Sequence, residues 1–166
     1  MGYSIKGRTA LVTGANRGIG EAIVDALVAA GAAKVYAAAR NINDLAPLTA
    51  RHGARVVALR LDVTNAAQIA AAVSAAPDVQ LLVNNAGVAG HAGGAFTDPK
   101  WITAGRQEME VNFIGTFSVT QAFAPVLAKN AGGAVVNIAS VASLVSFALL
   151  ASYSASKAAV HSLTQA

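Results

Sequence analysis

Short apolar runs alternate with longer amphipathic stretches along the chain. Thr9–Thr13 reads Thr-Ala-Leu-Val-Thr and passes directly into Gly14-Ala-Asn-Arg-Gly-Ile-Gly20. A short apolar run bounded by glycine predicts a strand. A helix over about 19–30 should follow, closed by Gly31 as its C-terminal cap. Lys34–Ala39 predicts the second strand, and a short helix over about 43–51 ends at Gly53. Residues 55–61 give a third strand, after which Thr64 or Asn65 can cap a helix reaching about Ala76. The fourth strand falls at 79–83. A glycine-rich loop over 87–96 leads into a long helical region at about 99–129, bent near Gly115. Residues 134–139 predict a fifth strand, and a last helix starts near Ser152. Strands separated by single helices imply right-handed crossovers and a parallel sheet. The expectation is one doubly wound α/β domain over residues 1–166, with five parallel strands.

Composition supports this. The chain is 55% hydrophobic and 12% charged, against roughly a quarter charged in an average soluble domain. Such a chain can offset its ordering entropy, which excludes disorder. The excess lies in Ala and Val, which suits buried parallel strands covered by small-residue helices. Residues 130–156 hold no charge, but Gly132, Gly133, Asn137, Ser140, Ser143, Ser146 and Ser152 interrupt them. The stretch reads as a buried strand and its following loop, not as a membrane span. The N-terminal residues have no apolar signal core, so secretion has no support. The absence of cysteine excludes disulfide and thiolate chemistry and fits a cytoplasmic setting. Net charge is +4, from 12 basic and 8 acidic residues that are scattered, and aromatics are 5%. Nucleic-acid surfaces need a basic stripe or a stacking platform, and neither is present.

In a doubly wound sheet, ligands bind beyond the carboxyl ends of the strands. Gly14, Gly18 and Gly20 occupy the first strand-to-helix turn. Glycine lets the backbone turn sharply and approach a ligand, and the helix N-terminus behind it attracts a pyrophosphate. The spacing departs from the usual dinucleotide fingerprint, in which one residue separates the first two glycines. Thr13-Gly-Ala-Asn-Arg-Gly-Ile-Gly20 instead resembles the T-G-x-x-x-G-x-G motif of the short-chain dehydrogenase/reductase family. Asn84-Asn-Ala-Gly87, at the end of the fourth strand, is similar to that family's N-N-A-G motif. The resemblance covers nearly the whole chain and implies the Rossmann form of the fold. It places a nicotinamide dinucleotide along Gly14, Asn16, Arg17, Gly18, Ile19 and Gly20, then Arg40, Asp62, Val63, Asn85, Ala86 and Gly87. Asp62 would accept from the adenine amino group, although a helix-capping role reads equally from the residues. The paired asparagines would also brace the neighbouring loop.

The second strand ends Ala37-Ala-Ala39 and is followed by Arg40, with no acidic residue at the position that binds ribose hydroxyls. Arg17 is a second cation in the glycine loop. Arginine binds phosphate bidentately, so NADP(H) is favoured over NAD(H). The resemblance implies the same preference.

Tyr153 and Lys157 lie four residues apart on a predicted helix and share one face. A phenol ionises near pH ~10, and a nearby ammonium favours the phenolate, so Tyr153 can serve as general acid and base. Ser140 follows the fifth strand and could donate to a substrate carbonyl, with Ser143 as a competitor. The resemblance assigns the catalytic set to Asn112, Ser140, Tyr153 and Lys157. It gives Asn112 a helix bend and a water relay and Lys157 a hydrogen bond to the nicotinamide ribose, and it counts Tyr153 and Lys157 among the cofactor-binding residues. No G-x-S-x-G elbow surrounds Ser140. His52, His91 and His161 lack metal-ligand spacing, and no G-K-[ST] phosphate loop occurs.

The expected activity is interconversion of a small-molecule carbonyl and alcohol, without nucleic-acid or membrane partners. The resemblance also implies a homo-oligomer paired through the helices flanking the fifth strand. Family members usually continue past the tyrosine helix with two further strands and a substrate lobe. Two expectations follow: the fifth strand forms an unprotected sheet edge, and turnover is weak or absent. An alternative is therefore a dinucleotide-binding module without independent activity. The loop over 88–98 would form part of any substrate pocket.

Overall fold

In the computed structural model, which describes residues 3–90 and 97–166, every residue of strand β1 (Thr9–Thr13) is buried. That burial on both faces puts β1 at the centre of the sheet. Helix α1 (Gly18–Ala29) leads to β2 (Lys34–Ala39). A 3₁₀ turn (Ile42–Leu45) and helix α2 (Ala46–His52) then lead to β3 (Val56–Arg60). Helix α3 (Ala66–Ala75) is capped by Asn65, whose side chain accepts from the Gln68 amide, and it precedes β4 (Leu81–Asn84). Helix α4 (Lys100–Glu108) runs through a π-helical segment (Met109–Gly115) into α5 (Thr116–Lys129). Strand β5 (Ala134–Asn137) and helix α6 (Ala151–Gln165) complete the chain.

All pairings are parallel, and the strand order is β3-β2-β1-β4-β5. The doubly wound fold expected from the sequence is the one observed. Alternation along the strands divides the core. Ala10, Val12, Val35 and Ala37 face Val24, Val28, Leu45 and Leu48 on one side of the sheet. Leu11, Tyr36 and Leu82 face Ile69, Val119 and Phe123 on the other. The chain leaves β1 toward β2 and returns to β4 on the opposite side, so the crevice between their carboxyl ends is the topological switch point.

One expectation needs correction, and a second is located more closely. Residues 134–139 do not form a buried strand: β5 stops at Asn137 and lies at the edge, with Val135 and Val136 exposed. Among the described residues only β4 pairs with it, which leaves its outer edge open. The long helix is irregular where the bend was expected, around Asn112 and Gly115. Its irregularity spans Met109–Gly115, and Gly115 packs so tightly on Val63 that a Cβ would collide with the Val63 side chain. The run Lys100–Lys129 is long and apolar enough to cross a membrane. Its Trp101, Ala104, Val119, Phe123 and Leu127 are nevertheless buried within the protein, as in a core helix. Of the loop expected over 87–96, residues 91–96, including His91, lie outside the described residues.

Candidate active site

The switch-point crevice opens into a cavity of about 870 Å³. Gly14, Asn16, Arg17, Gly18, Ile19 and Gly20 form one wall, and Asn85, Ala86 and Gly87 form another. Gly14 and Gly18 have φ of 64° and 58°, a region that favours glycine. Arg17 is the N-cap of α1, but no side chain caps the helix. Its first N–H groups therefore have no side-chain acceptor, the condition in which a helix end receives an anion.

The asparagine motif joins the two walls. The Thr13 hydroxyl accepts from the Asn85 and Ala86 amides, each at 3.0 Å. The Asn85 side-chain amide donates to the carbonyls of Thr13 (2.9 Å) and Gly14 (3.0 Å). Asn84 donates to the Thr120 hydroxyl and to Asn137 Oδ1, both at 2.8 Å, tying β4 to α5 and β5. The bracing expected of the paired asparagines is thus present. The contribution of Thr13 was not foreseen: its hydroxyl meets residues more than seventy positions away.

At the far end the cavity is lined by Arg40, Asn41, Asp44, Asp62, Val63 and Thr64. Arg17 and Arg40 are both exposed, and among the described residues neither guanidinium is hydrogen-bonded or ion-paired. Asp62 Oδ1 accepts from the Thr64 amide (3.0 Å) and hydroxyl (2.8 Å), forming a turn ahead of α3. The Thr64 amide hydrogen bond, opposed by partial burial and aided by the Thr64 hydroxyl and Arg40, holds this carboxyl below its ordinary range. Asn41 and Asp44, joined by a 2.7 Å hydrogen bond, also line this end and were missed from sequence.

Tyr153 and Lys157 line the opposite end, beside Ile138 and Ala139. Lys157 is buried, its Nζ donates to the Ile138 carbonyl at 2.8 Å, and it lies 5.9 Å from the centroid of the Tyr153 ring. Burial pushes the lysine pKa down. Asn112 is buried in the π-helical segment, behind the wall. Its Oδ1 accepts from the Val88 amide (2.8 Å), and its Nδ2 donates to the Val88 carbonyl and Ser156 Oγ, each at 2.9 Å. Ser156 in turn donates to the Tyr153 carbonyl at 2.7 Å. A Cβ on Gly87 would stand 3.2 Å from Asn112 Oδ1 and 3.6 Å from Lys157 Nζ, so this glycine is the floor between them.

Ser140 is not among the cavity-lining residues. It caps the 3₁₀ turn Val141–Ser143, where its Oγ accepts from the Ala142 amide (3.1 Å) and Ser143 Oγ accepts from the Ser140 amide (3.1 Å). The competitor Ser143 is therefore engaged in the same turn. Every residue expected to hold the dinucleotide lines the one cavity, whereas Asn112 and Ser140 do not. Gln107, Glu110 and Val111 of the α4 region also line it and carried no sequence signal beyond proximity to Asn112.

The family model for short chain dehydrogenases matches residues 8–166. The chain belongs to the short-chain dehydrogenase family. Among curated relatives, galactitol 2-dehydrogenase (L-tagatose-forming) of Cereibacter sphaeroides is 38% identical over 175 residues, covering 99% of this chain and 65% of that protein. A short chain dehydrogenase from Burkholderia cenocepacia J2315, solved in complex with NADP, shares 43% identity at a TM-score of 0.88. That match covers 98% of this chain and 66% of the other. A Burkholderia phymatum short chain dehydrogenase/reductase, solved in complex with NAD, shares 36% identity at a TM-score of 0.85, covering 98% and 59%. The chain thus spans about 65% of the length of the relative it matches.

Proposed function

We propose that this chain is the nicotinamide-binding and catalytic domain of an NADP(H)-dependent oxidoreductase that interconverts a small-molecule carbonyl and alcohol. The observation that carries the reading is one cavity with an uncapped helix N-terminus on its wall and the Tyr153–Lys157 pair at one end. The fit to a dinucleotide rests on the residues present. The cavity volume lies within the range of cofactor sites. The α1 terminus would hold the pyrophosphate, and the free guanidinium groups of Arg17 and Arg40 would pair a 2′-phosphate. Asp62, Val63, Asn85, Ala86 and Gly87 would flank the adenosine. Solved relatives bind NADP in one case and NAD in the other, so the preference rests on the two arginines.

When bound, the nicotinamide supplies or accepts the hydride at the carbonyl carbon. Tyr153 donates its hydroxyl proton to the oxygen that becomes the alcohol and takes it back in the reverse direction. The Lys157 ammonium stabilises the negative charge left on the phenol oxygen. The Ser140 hydroxyl oxygen is already an acceptor for Ala142, and its own hydrogen remains to donate to the carbonyl oxygen. Asn112 holds the 88 position and, through Ser156, the turn of α6 that carries Tyr153. A homo-oligomer is consistent with the exposed Ile114 and Phe117 on the helices beside the sheet. A cytoplasmic setting fits a chain without cysteine.

A second reading, a dinucleotide-binding module without its own turnover, is favoured by the exposed Val141, Leu144, Val145, Phe147 and Leu149 between β5 and α6. One set of measurements separates them. NADPH should bind more tightly than NADH by fluorescence titration, and Arg40→Ala should erase most of that difference. Tyr153→Phe should lower carbonyl reduction roughly 10³-fold while NADPH still binds. NADPH binding with no turnover on a carbonyl and alcohol panel selects the second reading, and no nucleotide binding rejects both.

A further inference from the structure

Helix α4 carries a buried acid that the proposed chemistry does not use. Glu108, its last residue, is fully buried, on the face that also buries Trp101 and Ala104. Its Oε1 accepts from the Gly90 amide at 2.7 Å. Its Oε2 is buried without a hydrogen-bond partner among the described residues. A buried carboxyl with one oxygen unpaired among the described residues is costly to bury, so packing alone does not account for an acid here.

What Glu108 holds suggests why it is there. Asn112 follows four residues later and clamps both backbone groups of Val88. Together the two side chains fix the 88–90 segment at three backbone points. Val88 and Ala89 line the cavity that also contains Tyr153 and Lys157. Gly90 sits close against α4, where a Cβ would stand 3.1 Å from Ala104 Cβ. The adjacent Gly105 lies equally close to α6, a Cβ there standing 3.1 Å from Cβ of Ser152, the residue before Tyr153. Helix α4 is therefore wedged between the 88–90 segment and the helix that carries the tyrosine.

We propose that Glu108 is a positioning residue for the substrate side of the cavity. By holding the Gly90 amide it sets where Val88 and Ala89 stand, and hence how the carbonyl compound is seated beside Tyr153. The inference rests on the oxidoreductase reading, and its test is built so that the two can fail separately.

Glu108→Gln keeps an acceptor for Gly90, whereas Glu108→Met keeps the volume and removes the acceptor. Amide hydrogen exchange at Gly90, NADPH affinity, and kcat and KM for a carbonyl substrate are measured for both. In Glu108→Met, exchange at Gly90 should rise about tenfold and KM about fivefold, with kcat and NADPH affinity changed less than about twofold. Glu108→Gln should match the parent protein in exchange and KM. Unchanged Gly90 exchange in Glu108→Met, or a Gln variant as impaired as the Met variant, overturns the proposal. If Glu108→Met does not fold, parental exchange and KM in Glu108→Gln support it and a raised KM overturns it. A parent protein that binds no NADPH rejects the oxidoreductase reading, while the Gly90 exchange comparison still decides whether Glu108 holds the segment.

Discussion

Two glycines of the first turn, Gly18 and Gly20, disfavour side chains for different reasons. Gly18 has φ of 58°, yet a Cβ there would meet nothing within 4 Å. Gly20 has no such φ, but a Cβ would overlap the Gly14 carbonyl oxygen, and backbone cannot give way as a side chain can. An alanine at 18 therefore meets only the left-handed penalty, about 1 kcal/mol. An alanine at 20 must push α1 away from β1, at about 3 kcal/mol. Urea unfolding of Gly18→Ala and Gly20→Ala should show that order, and equal losses would refute the distinction. The motif was legible in the sequence because its residues are consecutive. Asn112 was legible only in part: its partners Val88 and Ser156 lie 24 and 44 positions away, a proximity that only the folded chain creates. Glu108 was invisible because a glutamate on a helix ordinarily reads as solvent-facing.

Between elements, carboxylates do the joining. Asp25 on α1 meets His52 and Arg51 of α2, and Arg51 also reaches Glu21. The His52 hydrogen bond, opposed by slight burial and reinforced by Arg51, holds Asp25 below its ordinary range. Asp78, just before β4, accepts from Lys34 (2.7 Å) and the Tyr36 hydroxyl (2.9 Å) of β2. Burial pushes its pKa up, but those two hydrogen bonds outweigh it and the net direction is down. Asp62 is likewise held low, chiefly by the Thr64 amide. For acids depressed in the fold, the stabilisation is complete above the unfolded pKa of about 3.9 and disappears as pH falls through the folded value. The urea midpoint should therefore hold from pH 7 to about 5 and drop below about 4, with a shallower drop in Asp78→Asn. A midpoint unchanged between pH 6 and pH 3 would contradict this. The Asp25 and Asp78 ties were not legible beforehand, since each joins residues from different elements, whereas the local turn at Asp62 was within reach of the sequence. The elements themselves were legible, because β1 and β2 begin and end at sharp changes of hydrophobicity. The π-helical segment was legible only as a bend near Asn112 and Gly115, and its extent over Met109–Gly115 was not.

At the scale of the whole molecule, the parallel sheet followed from alternating strands and helices, but the openness of β5 did not follow from its residues. Ala-Val-Val-Asn has the composition of a buried strand. Successive side chains on a strand point to opposite faces, and Val135 (38%) and Val136 (43%) are both exposed, so both faces of β5 are partly open to solvent. Among the described residues its outer backbone edge is unpaired, and the exposed Val141, Leu144, Val145, Phe147 and Leu149 extend the apolar surface toward α6. An open edge beside an apolar patch is a template for another chain. The 166-residue chain should therefore associate as concentration rises in sedimentation velocity, and Val136→Lys should shift it toward monomer without weakening NADPH binding. Phe117→Glu on α5 supplies the comparison, since Ile114 and Phe117 form a second exposed apolar surface. If Phe117→Glu disperses the assembly and Val136→Lys does not, the contact is helical and the edge is spectator. A chain that sediments as monomer at every concentration would show that β5 tolerates its exposure unaided.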